Sequence, residues 1–241
     1  MKTSIFLIVF LLTGCGTYYY YPTYQDIPTN TKRGELRGNF FTSADNQGFN
    51  LAYSVTNNFG TFVCLNTFDN YDFKHGAQIT DFGVYYFKAN SLKAKPTIKL
   101  VFSLSGAYGF GQNNKHYELY NLYINRFFLQ PSLALTSKFV DFGFSGRFSY
   151  VDFKMDRHVG AEYDGYFTKL YDVGKDAFYF FEPNLFIGLG YKGIKLNYHF
   201  LGVNKLDDSK IEYCKESIGY LSLSMKFDIT KLFKRNKDNV K

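Results

Sequence analysis

His199 falls on one strand face with Lys195 and Asn197, within reach of Glu182 and Arg147 on neighbouring strand-like segments. A histidine oriented by a carboxylate can activate a hydroxyl such as that of Ser222 or Ser224 for nucleophilic attack. No nucleophile motif surrounds either serine, and interior serines are ordinary filling in a barrel. His199 is therefore expected to be a hydrogen-bonded interior residue, and no catalytic residue is assigned. A second cluster, Asp156, His158, Glu162, Asp164 and Asp172, lies in the stretch 154–176. Calcium loops space their ligands in a fixed order around a glycine turn, and this stretch has no such order. Neither a metal nor another cofactor is expected. Tyr163, Tyr166 and Tyr171 offer rigid apolar faces with polar tips, which suits capture of a surface ligand or an envelope protein.

Cys15 is the remaining group with distinctive chemistry. It follows Lys2, the unbroken apolar run Ile5–Leu12, and Thr13-Gly14. A charged start, a short apolar core and a small-residue cleavage site make a secretory signal peptide. The run is too short to span a bilayer as a helix, which takes ~20 residues. Leu12-Thr13-Gly14-Cys15 resembles the bacterial lipobox, which implies cleavage after Gly14 and acylation of Cys15 with palmitate-type chains. Losing residues 1–14 removes Lys2 and no acid, which lowers the net charge of +7 by one. The modest positive excess is spread along the chain, so no nucleic-acid partner is expected. Three cysteines make no disulfide scaffold. A Cys64–Cys214 bridge and two separate thiols both fit the sequence.

These groups must be positioned by strands. The chain has 22 Tyr and 28 Phe but no Trp, and aromatic residues favour pleated surfaces. Period-two alternation, the strand signature, recurs throughout. Val140, Phe142, Phe144, Phe148 and Tyr150 oppose Asp141, Gly143, Ser145, Arg147 and Ser149, for example. Ten segments follow: 34–42, 48–56, 59–68, 79–89, 96–110, 119–136, 138–153, 177–191, 193–203 and 216–229. Their connections alternate between tight turns (57–58, 90–95, 137–138, 192–193) and longer loops (43–47, 69–78, 111–118, 154–176, 204–215). Outer-membrane barrels share an even strand count and this alternation of short and long connections. Pro131 and Pro183 cannot donate to a ladder and are expected to mark bulges or kinks.

Alternation alone leaves the inside face undecided. The polar face is rich in Gly, Ser and Ala, which suits a crowded interior. The apolar face carries more Phe, Tyr and Leu than a narrow barrel encloses. The expected arrangement is apolar outward, against lipid, with Lys99, Asp141, Arg147, Glu182, Lys195, His199 and Lys226 forming a polar network in the lumen. Glu182 is the nearest inward acid to Arg147. Ten strands should hold a plugged lumen rather than an open channel.

Scattered blocks of the chain, Tyr21-Pro22-Thr23, Lys32-Arg33-Gly34-Glu35-Leu36, Phe128-Leu129-Gln130-Pro131-Ser132-Leu133, Phe148-Ser149-Tyr150-Val151 and Phe181-Glu182-Pro183-Asn184-Leu185, resemble small outer-membrane barrel lipoproteins of the Bacteroidota. That resemblance implies location and fold and no activity. Surface-exported lipoproteins of that group carry acids just after the acylated cysteine. Here Gly16-Thr17-Tyr18-Tyr19-Tyr20 follows, which implies an anchor held on the periplasmic side. The sequence thus predicts an all-β protein: a signal peptide (1–14), a lipidated linker (15–33), a single antiparallel up-and-down transmembrane β-barrel (34–229) and a basic tail (230–241). The expected role is structural or surface-binding without catalysis, with outer-membrane lipid as partner. The alternatives are a barrel hydrolase acting on lipid or peptide, and a soluble lipocalin-like periplasmic barrel binding a small apolar ligand.

Overall fold

The computed structural model describes residues 20, 22–44, 46–68, 77–113, 120–157, 177–191, 193–206 and 217–230. The strands are β1 (Glu35–Thr42), β2 (Asn46–Ser54), β3 (Phe59–Phe68), β4 (Ala77–Leu92), β5 (Lys95–Asn113), β6 (Tyr120–Thr136), β7 (Val140–Arg157), β8 (Ala177–Tyr191), β9 (Ile194–Gly202), the two-residue β10 (Asn204–Lys205) and β11 (Ser217–Asp228). Each of β1 to β8 pairs antiparallel with the next, β9 pairs with β11, and β11 returns to β1. The result is a closed antiparallel barrel of ten strands, with β10 a short extension along β8. Closure leaves no free sheet edge.

The strands run to nearly the expected ends because their alternation is nearly unbroken. Two local expectations are corrected. The connection expected at 43–47 is a tight turn: the Ser43 amide donates to the Asn46 carbonyl at 2.6 Å, and β2 begins at Asn46. The prolines introduce no bulge. Beside Pro131 the β6–β7 register passes from Leu129↔Phe148 to Ser132↔Ser145 without a shift. Beside Pro183 the β8 partners pass in register from Leu201 on β9 to Asn204 on β10. Each proline drops a rung and leaves the frame intact, as a missing N–H donor requires. A register shift occurs instead at Ser91/Leu92, next to the β4–β5 turn.

The apolar face points out. Thirty-five large hydrophobic residues are exposed among the described residues, including Phe82, Phe102, Phe127, Phe144, Leu185 and Leu196. The inward face is layered. Ile79, Ile124, Phe153 and Phe178 are buried toward the long-loop end, and Tyr85, Phe87 and Val101 toward the tight-turn end. Between them lies a polar middle that holds Arg37, Asp81, Arg126, Arg147, Glu182 and His199, all buried. Gly109 faces inward there, and a Cβ on it would come 2.1 Å from a carboxylate oxygen of Asp81.

Residues 20–31 add what periodicity did not foresee. Tyr20, Thr23, Tyr24, Gln25, Ile27, Thr29 and Asn30 are all buried, and they bond chiefly to wall residues of the barrel. The linker expected over 15–33 therefore lies inside the lumen at its described residues 20 and 22–31. The chain enters β1 from it through Gly34, whose φ of +79° suits glycine. A Cβ on Gly34 would meet Thr230 Cγ2 at 2.3 Å.

Candidate functional site

The lumen and its thread are built as one hydrogen-bonded stack. At the tight-turn end the Thr31 amide donates to Glu35 Oε2 at 2.6 Å. Lys99 Nζ donates to Thr31 Oγ1 at 3.1 Å and Lys226 Nζ to the Thr29 carbonyl at 3.0 Å. Asn30 Nδ2 donates to Ser54 Oγ at 2.6 Å. These contacts fix the foot of the thread.

One layer higher, Asp26 is ion-paired with Arg37 and accepts from Asn39 Nδ2 at 3.1 Å. Arg37 also donates to the Ile27 carbonyl at 2.7 Å and to Thr29 Oγ1 at 2.9 Å. Gln130 Nε2 donates to the Asp26 carbonyl at 2.6 Å, and Ser145 Oγ donates to Gln25 Oε1 at 3.0 Å. Ile27 packs between Ala134 and Phe186. Lys195 pairs with Asp141 and donates to the Ser137 carbonyl.

Toward the long-loop end the charges concentrate. Arg126 grips Asp81 through both carboxylate oxygens, at 2.7 and 2.6 Å. Arg147 stands opposite Glu182 in the β7–β8 register and is ion-paired with it, its Nε donating to Oε2 at 2.7 Å. Both guanidinium groups also donate to Thr23 Oγ1, at 2.7 and 3.1 Å. Tyr20 donates its hydroxyl proton to Glu182 and stacks on Phe180 with ring centroids 4.3 Å apart. Tyr220 donates to the Pro22 carbonyl at 2.6 Å. Paired guanidinium–carboxylate groups sharing acceptors with a bound chain are rigid, because loss of any member strands a buried charge.

Lys99, Asp141, Arg147, Glu182, Lys195, His199 and Lys226 thus all reach the lumen, though they do not form one cluster. Lys99 and Lys226 bind the foot of the thread, Lys195 and Asp141 bind each other, and Arg147 and Glu182 clamp its upper part. His199 and Glu182 do not meet. The His199 Nε2 contact is the Tyr24 hydroxyl at 3.1 Å, and that hydroxyl is 3.3 Å from Ser222 Oγ. Tyr24 thus sits between imidazole and serine, and its ring stacks on Phe41 at 4.1 Å. Cys64 is a free, buried thiol that accepts from Asn66 Nδ2 at 3.4 Å. Cys15, Cys214, and His158, Glu162, Asp164 and Asp172 lie outside the described residues.

Parity could have pointed to Arg126, which shares its face with Phe128 and Gln130. Asp81 was hidden because Phe82, Val84, Tyr85, Tyr86 and Phe87 blur the alternation of β4. Tyr24 and Thr23 carried no periodic signal, and Asp26 only the hint of an isolated acid.

Two interior cavities of about 10 Å³ each border the thread, room for about one water apiece. Ser105 Oγ and Asn50 Nδ2, which bond no described protein atom, lie at the first, and His199 Nδ1 and Arg37 Nε at the second. The larger space is external: an apolar groove of about 760 Å³ over β4–β8, bordered by Phe82, Tyr108, Phe127, Leu129 and Phe148.

No protein-family model matches this chain, and no curated protein matches it either.

Proposed function

We propose that this chain is an outer-membrane β-barrel lipoprotein, acylated on Cys15, with a structural or surface-binding role rather than a catalytic one. The supporting observation is the outward face. A soluble monomer rarely exposes an apolar patch above ~300–600 Å². Thirty-five half-exposed large side chains, at ~150–250 Å² of surface per aromatic ring, exceed that several-fold. Two aromatic rows bound the belt. Phe82, Tyr108, Phe127, Tyr150 and Tyr179 stand directly across from one another on five successive strands. Near the other end Phe59 faces Tyr86 across β3 and β4, and Phe139 packs on Tyr191 beneath the Lys138 ammonium. From Tyr179 to Tyr191 is twelve steps of ~3.3 Å along the strand, or ~28–31 Å along the axis at a tilt of ~40–45°. That matches a hydrocarbon core of ~30 Å.

Among the described residues the lumen is polar and occupied by the thread, which weighs against a lipocalin-like reading. Tyr24 wedged between His199 and Ser222 weighs against a hydrolase. Binding then falls to the long connections, above all 158–176, with a surface ligand or envelope protein as partner.

Expression in a host with an outer membrane and lipoprotein maturation tests the reading. The chain should fractionate with the outer membrane, resist carbonate extraction and take up an alkynyl fatty acid. Cys15→Ala should abolish that label and remain membrane-bound through the barrel. Release of wild type into the soluble periplasmic fraction, or label persisting on Cys15→Ala, would reject it.

A further inference from the structure

We infer that the acylated Cys15 emerges at the long-loop end of the barrel, so that the lipid anchor and the long loops share the outer face of the membrane. This rests on the outer-membrane lipoprotein reading above and assigns that anchor its side.

The direction of the thread carries the inference. Thr31 is held at the tight-turn end by Glu35 and Lys99. Asp26 is held halfway by Arg37, and Tyr20 is held near the far end by Phe180 and Glu182. Followed toward the N-terminus, the chain climbs away from the tight turns. Phe180 is only three residues from Ala177, where β8 meets the connection 158–176.

Reach then decides the side. Cys15 is five residues from Tyr20, a span of at most ~18 Å when fully extended. The long-loop rim is three strand steps above Phe180, or ~10 Å of strand. The opposite rim at Tyr191 is eleven steps below, ~36 Å of strand and ~26–28 Å along the axis at a tilt of ~40–45°. Five residues cover the first distance and not the second.

An anchor on the tight-turn face, as residues 16–20 with no acid implied, would require the thread to be pulled out. That would leave Arg37 without Asp26 and strip Thr23 from both Arg126 and Arg147. Because the longer connections of outer-membrane barrels face outward, the acyl chains enter the outer leaflet.

Single-cysteine labelling on intact cells tests this in full-length chain carrying Cys64→Ala and Cys214→Ser. Tyr18→Cys reports the segment before the thread, Asp164→Cys the longest connection and Asn57→Cys a tight turn. The parent without added cysteine measures any unacylated Cys15. A membrane-impermeant maleimide should label Tyr18→Cys and Asp164→Cys on intact cells, each at least tenfold above the parent, and Asn57→Cys only after permeabilisation. Tyr18→Cys behaving like Asn57→Cys while Asp164→Cys labels would overturn the inference and leave the membrane reading standing. Tyr18→Cys and Asp164→Cys both protected, with Asn57→Cys labelled, would overturn the outer-face assignment. All three protected in a chain recovered from the soluble fraction would defeat the membrane reading and this inference with it.

Discussion

On β8, Glu182, Asn184 and Phe186 are buried while Leu185, Ile187 and Leu189, one residue away, lie about half exposed. β5, β6 and β7 repeat that inversion. The two faces of one wall are stabilised by different physics. Inside, Arg126–Asp81 and Arg147–Glu182 are desolvated pairs, and both guanidinium groups also donate to Thr23 of the thread. Each charge of these pairs has a fixed counter-charge, and removing one orphans the other. Outside, Phe102, Phe144 and Leu196 are about half exposed, and on the proposed membrane reading they need only an apolar medium. The lumen is thus specified by geometry and the belt by solvent. Neighbouring positions on one strand should respond to substitution in opposite ways.

The largest effect should come from removing the thread. Full-length chain in planar bilayers should show no large stable pore, because Tyr20–Thr31 and the wall side chains fill the lumen. Deleting residues 20–31 removes Asp26 from Arg37 and Thr23 from two arginines. The deletion should either fail to refold to the heat-modifiable form or, once refolded, conduct ions stably. A refolded deletion variant that stays closed would show that the wall side chains suffice as a plug. The contrast between the faces would then lose its inner half.

A smaller effect is expected from Arg147→Ala, which leaves Glu182 buried with its charge uncompensated. Breaking one partner of a fully buried pair costs ~3–5 kcal/mol, and both side chains are essentially inaccessible. Thermal denaturation of the detergent-folded barrel should show a clear loss of Tm, with part of it restored by adding Glu182→Gln. Equal stability of Arg147→Ala and wild type would mean the pair is hydrated and the lumen less dry than described.

The smallest is Phe144→Arg, on the belt between the two aromatic rows. A lipid-facing arginine at mid-depth costs ~2–4 kcal/mol in a barrel, and the penalty should appear on folding into vesicles. A variant that folds into vesicles as well as wild type would place Phe144 away from lipid.

The wall was largely legible from sequence, and the thread was not. Period-two alternation located ten strands to within a few residues, because a closed barrel with one apolar and one polar face demands it on every strand. Parity alone put Arg147 and Glu182 on one face of adjacent strands, and their register pairing follows from that. Tyr20–Thr31 has no period, contains Pro22 and Pro28, and bonds mainly through single side chains and carbonyls to residues more than 100 positions away, as from Gln25 to Glu182 and Ser145. Such a segment reads as a linker. Its one local hint was Asp26, an acid among polar and apolar neighbours whose partner, Arg37, lies on the inward face of β1. Asp81 was obscured by aromatics on both faces of β4, where inward Tyr85 and Phe87 pack beneath Ala52 and Val101.

Residues 20 and 22–31 occupy the lumen of the closed barrel, and a cross-lumen disulfide tests that placement. Ile27 on the thread and Ala134 on β6 are buried in one cluster. Ile27→Cys with Ala134→Cys can be installed in full-length chain carrying Cys15→Ser, Cys64→Ala and Cys214→Ser, folded in detergent and treated with a mild oxidant. The account predicts that both thiols are lost to an intramolecular bond, seen as a reducible shift in migration and as failure of alkylation, while either single variant keeps its thiol. Two thiols that stay free and become alkylated together in the folded, heat-modifiable barrel would contradict it.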